Sequence, residues 1–239
     1  MPKVLVTGAG KRLGKGIAIN FARRGWDVII HYNQSEEGAK EVFNYISETG
    51  QMACLLKADL RDSSAVEKSF KDVFENFGVP SVLINNAGVF PEAKPIEKLN
   101  EFDFEFAMEL NTKAQFITSK IFAEYAQKGS RVINIASLGG LEIWKNRLPY
   151  HVSKAGSIHL TRALAAELAP KISVNSINPG VIVVPDDETD IPKPKESRIP
   201  MGRYGNVDDL FSAIEFFATC SNYITGQNIS VDGGQHFVR

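Results

Sequence analysis

Tyr150 and Lys154 stand four residues apart in Tyr150-His151-Val152-Ser153-Lys154, a stretch that opens a helical pattern. That spacing puts both side chains on one face of a helix. An ammonium beside a phenol favours the phenolate and lowers the tyrosine pKa. A tyrosine tuned in this way passes a proton near neutral pH. The same spacing also describes an ordinary exposed helix face, so the pair takes its meaning from what accompanies it.

A glycine-rich run, Thr7-Gly8-Ala9-Gly10-Lys11-Arg12-Leu13-Gly14-Lys15-Gly16, follows the apolar Val4-Leu5-Val6 and leads into a helical pattern. At a first strand-to-helix junction, glycines let the backbone approach a pyrophosphate, which sits at the helix N-terminus. A merely tight turn is the alternative. The second strand runs into His31-Tyr32-Asn33-Gln34-Ser35, with no carboxylate before Glu36. An acidic residue there grips a ribose 2′-hydroxyl and would repel a 2′-phosphate. Lys11 and Arg12 would attract one. Both features predict NADP(H) as cofactor; a solvated loop is the alternative for the two cations.

These residues need a scaffold, and the hydrophobic pattern supplies one. Short apolar runs at Val4–Val6, Asp27–His31, Met52–Leu56, Ser81–Asn85, Arg131–Ile135, Ile172–Ile177 and Asn228–Val231 read as strands. Between them, helical patterns cover Leu13 to Arg24, Glu36 to Glu48, Ser64 to Phe77, Glu101 to Gln127, Pro149 to Leu168 and Asp208 to Cys220. Such alternation predicts an α/β, Rossmann-type doubly wound parallel sheet of about seven strands, with helices on both faces. The near-continuous apolar strands fit a sheet covered on both sides. There is no repeat or linker, so residues 1–239 read as a single domain. Its one break in composition is 185–200, with four prolines and several charges. A substrate lid and a disordered surface loop are both open readings of that segment.

Bulk properties narrow the function classes. The 239 residues are 44% hydrophobic, and 27 basic against 28 acidic residues give a formal charge of -1. No electrostatic footprint for nucleic acid or an anionic membrane follows. Cys54 and Cys220 form no C-x-x-C pair, which argues against a disulfide framework or a metal site. Cys54, in an apolar run, reads as a buried inert thiol. The apolar N-terminal run is too short for a signal peptide and no stretch approaches a membrane span, so the expected location is cytoplasmic.

Taken together, the chain resembles the short-chain dehydrogenase/reductase family over essentially its whole length. The landmarks appear in order: the Thr7-Gly8 turn, Asp59-Leu60, Asn85-Asn86-Ala87-Gly88, Asn111, Ser137, Tyr150 with Lys154, and Asn178-Pro179-Gly180. Tyr223-Ile224-Thr225-Gly226-Gln227 and Val231-Asp232-Gly233-Gly234 close the pattern. The resemblance implies that Tyr150 protonates a carbonyl oxygen, Ser137 hydrogen-bonds it, and Lys154 lowers the Tyr150 pKa and binds the nicotinamide ribose. Asn111 would bind a water linking Lys154 to solvent. Gly8, Lys11, Arg12, Leu13 and Gly14, with Asn33 and Ser35, would meet the cofactor's phosphate end. Asp59 and Leu60 would border adenine, and Asn86, Ala87 and Gly88 its ribose. Pro179, Gly180 and Ile182 would flank nicotinamide. A small-molecule carbonyl substrate and a homo-oligomer, tetramer or dimer, are implied as partners.

Some residues depart from the family pattern. Arg12 stands where the family usually has glycine, and Lys11-Arg12-Leu13-Gly14 with His31-Tyr32 resembles the pteridine-reductase branch. That branch typically has Asp at the place of Ser137, the ketone-reductase choice. Val184 replaces a frequent threonine and cannot hydrogen-bond a carboxamide. Substrate would enter between Phe90 to Pro95, Leu138 to Leu148 and the 185–200 segment. There Trp144 reads as a ring-stacking residue or a greasy wall, and Lys193, Lys195 and Arg198 as anion contacts or exposed charges. Three functions stay open: a reductase of ketones such as 3-oxoacyl thioesters, a dihydropterin reductase, and a non-catalytic dinucleotide sensor.

Overall fold

A computed structural model describes residues 1–184 and 193–238 of the chain. Seven apolar runs pair as β1 (Lys3–Val6), β2 (Asp27–Tyr32), β3 (Ala53–Lys57), β4 (Val82–Asn85), β5 (Ser130–Ile135), β6 (Ile172–Pro179) and β7 (Asn228–Val231). They form one sheet in the order β3-β2-β1-β4-β5-β6-β7, and each neighbouring pair is parallel. Chain order reverses between β1 and β4, which opens a crevice at their carboxyl ends.

Alternate strand residues face opposite sides of the sheet, and each side has its own core. Val4, Val6, Val28, Ile30, Val82 and Ile84 pack with α1 (Arg12–Arg23), α2 (Glu36–Glu48) and α7 (Val207–Thr219) through Ile17, Phe21, Val42, Ile214 and Phe217. Leu5, Ile29 and Leu83 turn the other way. They meet Phe70 of α3 (Ser63–Phe77), Phe122 of α5 (Ala114–Tyr125) and Leu164 of α6 (Leu148–Leu168). Helix starts follow their sequence signals: Asp62 accepts from Ser64 N and Ala65 N, and Asn100 and Asn206 form capping boxes with Asp103 and Asp209.

The Glu101 to Gln127 segment is not one continuous α-helix. It divides into α4 (Glu101–Met108), a π turn at Glu109–Lys113 and α5, which ends at Tyr125. The reason lies at Asn111, whose Nδ2 donates to Val89 O at 3.0 Å and to Ser153 Oγ at 2.9 Å, while its Oδ1 accepts from Val89 N at 2.8 Å. Both ends of this stretch must be satisfied at once. Asn111 is tied to Val89 while Ile117, Ile121 and Phe122 still face the sheet. One extra residue in the turn reconciles them. Hydrophobic periodicity is too coarse to reveal a single added residue.

Of the expected lid, residues 185–192 lie outside the described residues. From 193 onward the chain is anchored: Glu196–Arg198 make one 3-10 turn, Ile199 is buried, and Tyr204 Oη donates to Pro194 O at 2.7 Å. Among the described residues no helix is long and apolar enough to cross a membrane.

Candidate active site

The crevice at the carboxyl ends of the strands is a cavity of about 730 Å³. The glycine turn forms one end. Thr7 fixes its start, since its buried Oγ1 accepts from Asn86 N and Ala87 N, each at 2.9 Å, and donates to Ile84 O at 3.2 Å. Asn86 Nδ2 returns a bond to Thr7 O at 2.9 Å. The ends of β1 and β4 are thereby stitched together. Gly8 needs its φ of +65°, and Gly14 has no room for a side chain, because a Cβ there would lie 2.1 Å from Gly8 O. Arg12 also sits at positive φ, +50°. This explains the glycine usual at that position: the backbone keeps the glycine conformation although the residue has changed.

His31 holds the same turn from β2. Its Nδ1 accepts from Gly8 N at 3.0 Å, which requires the proton on Nε2, and Nε2 then donates to Ala58 O at 3.1 Å. Burial pushes its pKa down to about 4, so the ring is neutral at physiological pH. Sequence pattern alone gives it no task. A polar side chain inside the otherwise apolar Asp27–Tyr32 strand was the available signal, because buried polar groups find partners.

Beyond His31 the cavity wall carries Asn33, Gln34 and Ser35, all uncharged. Glu36 does not line it; its carboxylate pairs with Lys57 at 3.0 Å and Lys40 at 3.1 Å. Lys11, Arg12, Arg61, Lys145, Arg147, Lys154 and Lys193 are the cationic side chains among the described lining residues, and no Asp or Glu is among them.

At the other end, Ser137, Tyr150 and Lys154 face the same space. Ser137 follows β5 and caps a short turn, its Oγ accepting from Gly139 N at 3.0 Å. Tyr150 opens α6 directly after Pro149, and Lys154 sits one turn on, its Nζ donating to Ile135 O at 3.0 Å. Burial pushes the Tyr150 phenol up to about 12, against a hydrogen bond with Ser137 and the positive charges of Arg12 and Arg147. Lys154 is also buried, which lowers its pKa to about 8. The net shift of the phenol is therefore upward, opposite to the lowering expected beside an ammonium. Desolvation outweighs the hydrogen bond with Ser137 and the charges of Arg12 and Arg147.

Gly8, Lys11, Arg12, Leu13, Gly14, Asn33, Ser35, Leu60, Asn86, Ala87, Gly88, Pro179, Gly180 and Ile182 all border the cavity. Two expected residues do not. Asp59 is held by Arg61, with contacts down to 2.5 Å that keep its carboxyl at about 2, and Arg61 takes the lining position. Asn111 is fully buried behind the wall, committed to Val89 and Ser153. Val184 and Trp144 line the cavity, as does Arg147 within the Leu138 to Leu148 segment expected at the substrate entrance. The Cys54 thiol is only half-buried and its pKa is raised by desolvation, in keeping with an inert group. Among the described residues no His, Cys, Asp and Glu group could hold a metal.

A parallel sheet with its switch-point crevice, a glycine turn at the first helix and a buried Tyr–Lys pair together define a dinucleotide-type oxidoreductase. A sequence profile described as "Enoyl-(Acyl carrier protein) reductase" matches residues 8–236. The 3-oxoacyl-[acyl-carrier-protein] reductase of Synechocystis sp. is 33% identical over 96% of this chain and 95% of its own. A Hydroxynaphthalene reductase-like protein Arp2 of Metarhizium majus is 32% identical over 96% and 93%. Among solved structures, a short chain dehydrogenase from Burkholderia cenocepacia J2315 in complex with NADP superposes with a TM-score of 0.90. It is 30% identical, with 98% of each chain covered. The chain belongs to the short-chain dehydrogenase/reductase family of oxidoreductases.

Proposed function

We propose that the chain reduces a carbonyl to an alcohol with NADPH, Tyr150 supplying the proton. The observation that carries this reading is one cavity with the glycine turn at one end and Ser137, Tyr150 and Lys154 at the other. A bound NADPH would supply the hydride for the carbonyl carbon. The close backbone at Gly14, the neutral His31, Asn33 and Ser35, and the cations Lys11 and Arg12 fit a dinucleotide with a 2′-phosphate. Leu60, Asn86, Ala87 and Gly88 would border its adenosine, with Asp59 supporting from behind through Arg61. Pro179, Gly180 and Ile182 would flank its nicotinamide. The NADP in the Burkholderia cenocepacia structure supports the same choice.

Ser137 Oγ donates to the carbonyl oxygen and fixes its place. Tyr150, with a pKa of about 12, is protonated across the physiological range. An alkoxide is a stronger base than a phenolate, so the proton moves downhill from Tyr150 as charge develops on oxygen. Lys154, buried at the same wall, stabilises the phenolate that remains. Asn111 acts as a positioning residue: its side-chain amide holds Val89 and Ser153, leaving its main chain to meet a water that resupplies the proton.

The substrate class is a ketone of the 3-oxoacyl thioester kind, supported by Ser137 and by the name of the Synechocystis relative. A dihydropterin is the second reading, favoured by Arg12, whose charge reaches Tyr150 from the glycine turn. Cytoplasmic location and a homo-oligomer complete the proposal; exposed Phe102, Phe104 and Phe116 along α4 and α5 offer an apolar face for a second copy. NADPH oxidation with acetoacetyl thioester and dihydrobiopterin separates the two substrates. Turnover of the thioester, lost in Tyr150→Phe with dinucleotide binding retained, is expected. Activity on the pterin alone would overturn the first reading, and full activity of Tyr150→Phe would overturn the proton donor.

A further inference from the structure

Arg147 stands three residues before Tyr150 at the start of α6, so the two side chains emerge about one turn apart. Its guanidinium lies over the Phe90 ring, 4.2 Å from the centroid, and Nη1 donates to Pro91 O. Nε and Nη2 have no hydrogen bond, and no carboxylate reaches salt-bridge distance of the group, among the described residues. Burial lowers the Arg147 pKa, and Glu92 offsets this only at longer range. A planar fork of N–H donors, partly desolvated and facing a cavity, is suited to a carboxylate.

Flat walls surround the same point. Phe90 meets Tyr150 edge to face at 4.6 Å, and Trp144 lies nearly parallel to Tyr150, 6.2 Å away at 21°. Trp144 is held firmly: its N donates to His151 Nε2 at 2.8 Å and its Nε1 to Glu142 at 3.2 Å. Lys145 and Lys193 border the cavity as well. An apolar substrate would gain nothing from a cation at this place.

We infer that the cavity also takes aromatic carbonyl compounds bearing an anionic group, with Arg147 as the specificity-determining residue that receives the anion. This deepens the carbonyl-reductase reading and rests on it for turnover, but not for binding. The bland role for Arg147 is to pin the Phe90–Pro91 loop, and the two roles predict different outcomes.

The test uses two probes of nearly equal shape, 4-carboxybenzaldehyde and methyl 4-formylbenzoate, titrated by calorimetry into the full chain with NADP present. The carboxylate should bind about tenfold more tightly than the ester, the scale of one charge-assisted hydrogen-bonded pair. Arg147→Gln, which keeps a donor for Pro91 O, should erase that preference by weakening the carboxylate far more than the ester. Equal binding of both probes to the wild type, or parallel weakening of both in the variant, overturns the anion site. Turnover is read separately. Binding with charge preference in a protein that oxidises NADPH with neither these probes nor acetoacetyl thioester would overturn the reductase reading and leave the anion site standing.

Discussion

Acid should loosen the glycine turn from β2 through one residue, His31. Its ring is buried between Gly8 N, which donates to Nδ1, and Ala58 O, which accepts from Nε2. A proton on Nδ1 would remove the acceptor that Gly8 uses. Burial lowers the His31 pKa from 6.5 to about 4 in the folded protein. Between those values the unfolded chain binds the proton and the folded chain does not. Stability from this residue is therefore intact above about pH 6.5, falls as pH drops towards 4, and levels off below. At about 1.4 kcal/mol per pH unit, the window removes about 3 kcal/mol. His31→Asn offers Gly8 an acceptor that does not titrate. Urea unfolding of both proteins between about pH 7 and pH 4 isolates the term, since the other acids and bases cancel in the difference. The wild-type advantage over the variant should shrink by about 3 kcal/mol across that range. A difference that stays constant would refute the neutral, buried state of His31 and its hold on Gly8.

The cofactor end allows two simpler tests. Lys11→Gln combined with Arg12→Asn, a residue that tolerates positive φ, should weaken NADPH about tenfold or more and NADH much less, as a lost pair of phosphate contacts requires. An equal response of the two dinucleotides, measured by fluorescence titration, would count against the 2′-phosphate argument. Gly14→Ala places a Cβ 2.1 Å from Gly8 O and 2.6 Å from Asn86 Nδ2, so the turn must open. Loss of dinucleotide affinity together with a lower unfolding temperature is expected, and a variant that binds normally would show that the turn is not rigid.

The parallel sheet and the Tyr150–Lys154 pair were legible in the sequence because both depend on local rules. Alternating apolar runs and helices dictate a parallel sheet, and an interval of four residues dictates a shared helix face. The π turn was not legible, since it depends on Val89 meeting Asn111 from another part of the chain. Nor was the sense of the Tyr150 shift, which follows from its burial in the folded protein. Asp59 matched the family pattern but yielded its lining place to Arg61, a pairing between two neighbours that pattern alone does not rank. His31 and Arg147 were visible as residue types and became informative only once their partners were known.

The π turn at Glu109–Lys113 also sets how this region of the chain can change. Each residue of an α-helix advances about 100° around the axis. Deleting one residue from the turn would therefore either swing Ile117, Ile121 and Phe122 off the sheet or pull Asn111 from Val89 and Ser153. Side chains such as the exposed Lys113 can be exchanged freely, whereas the number of residues cannot. Segment length here is as much a specified quantity as any side chain, and insertions of about four residues, close to a whole turn, are the smallest that preserve both phases.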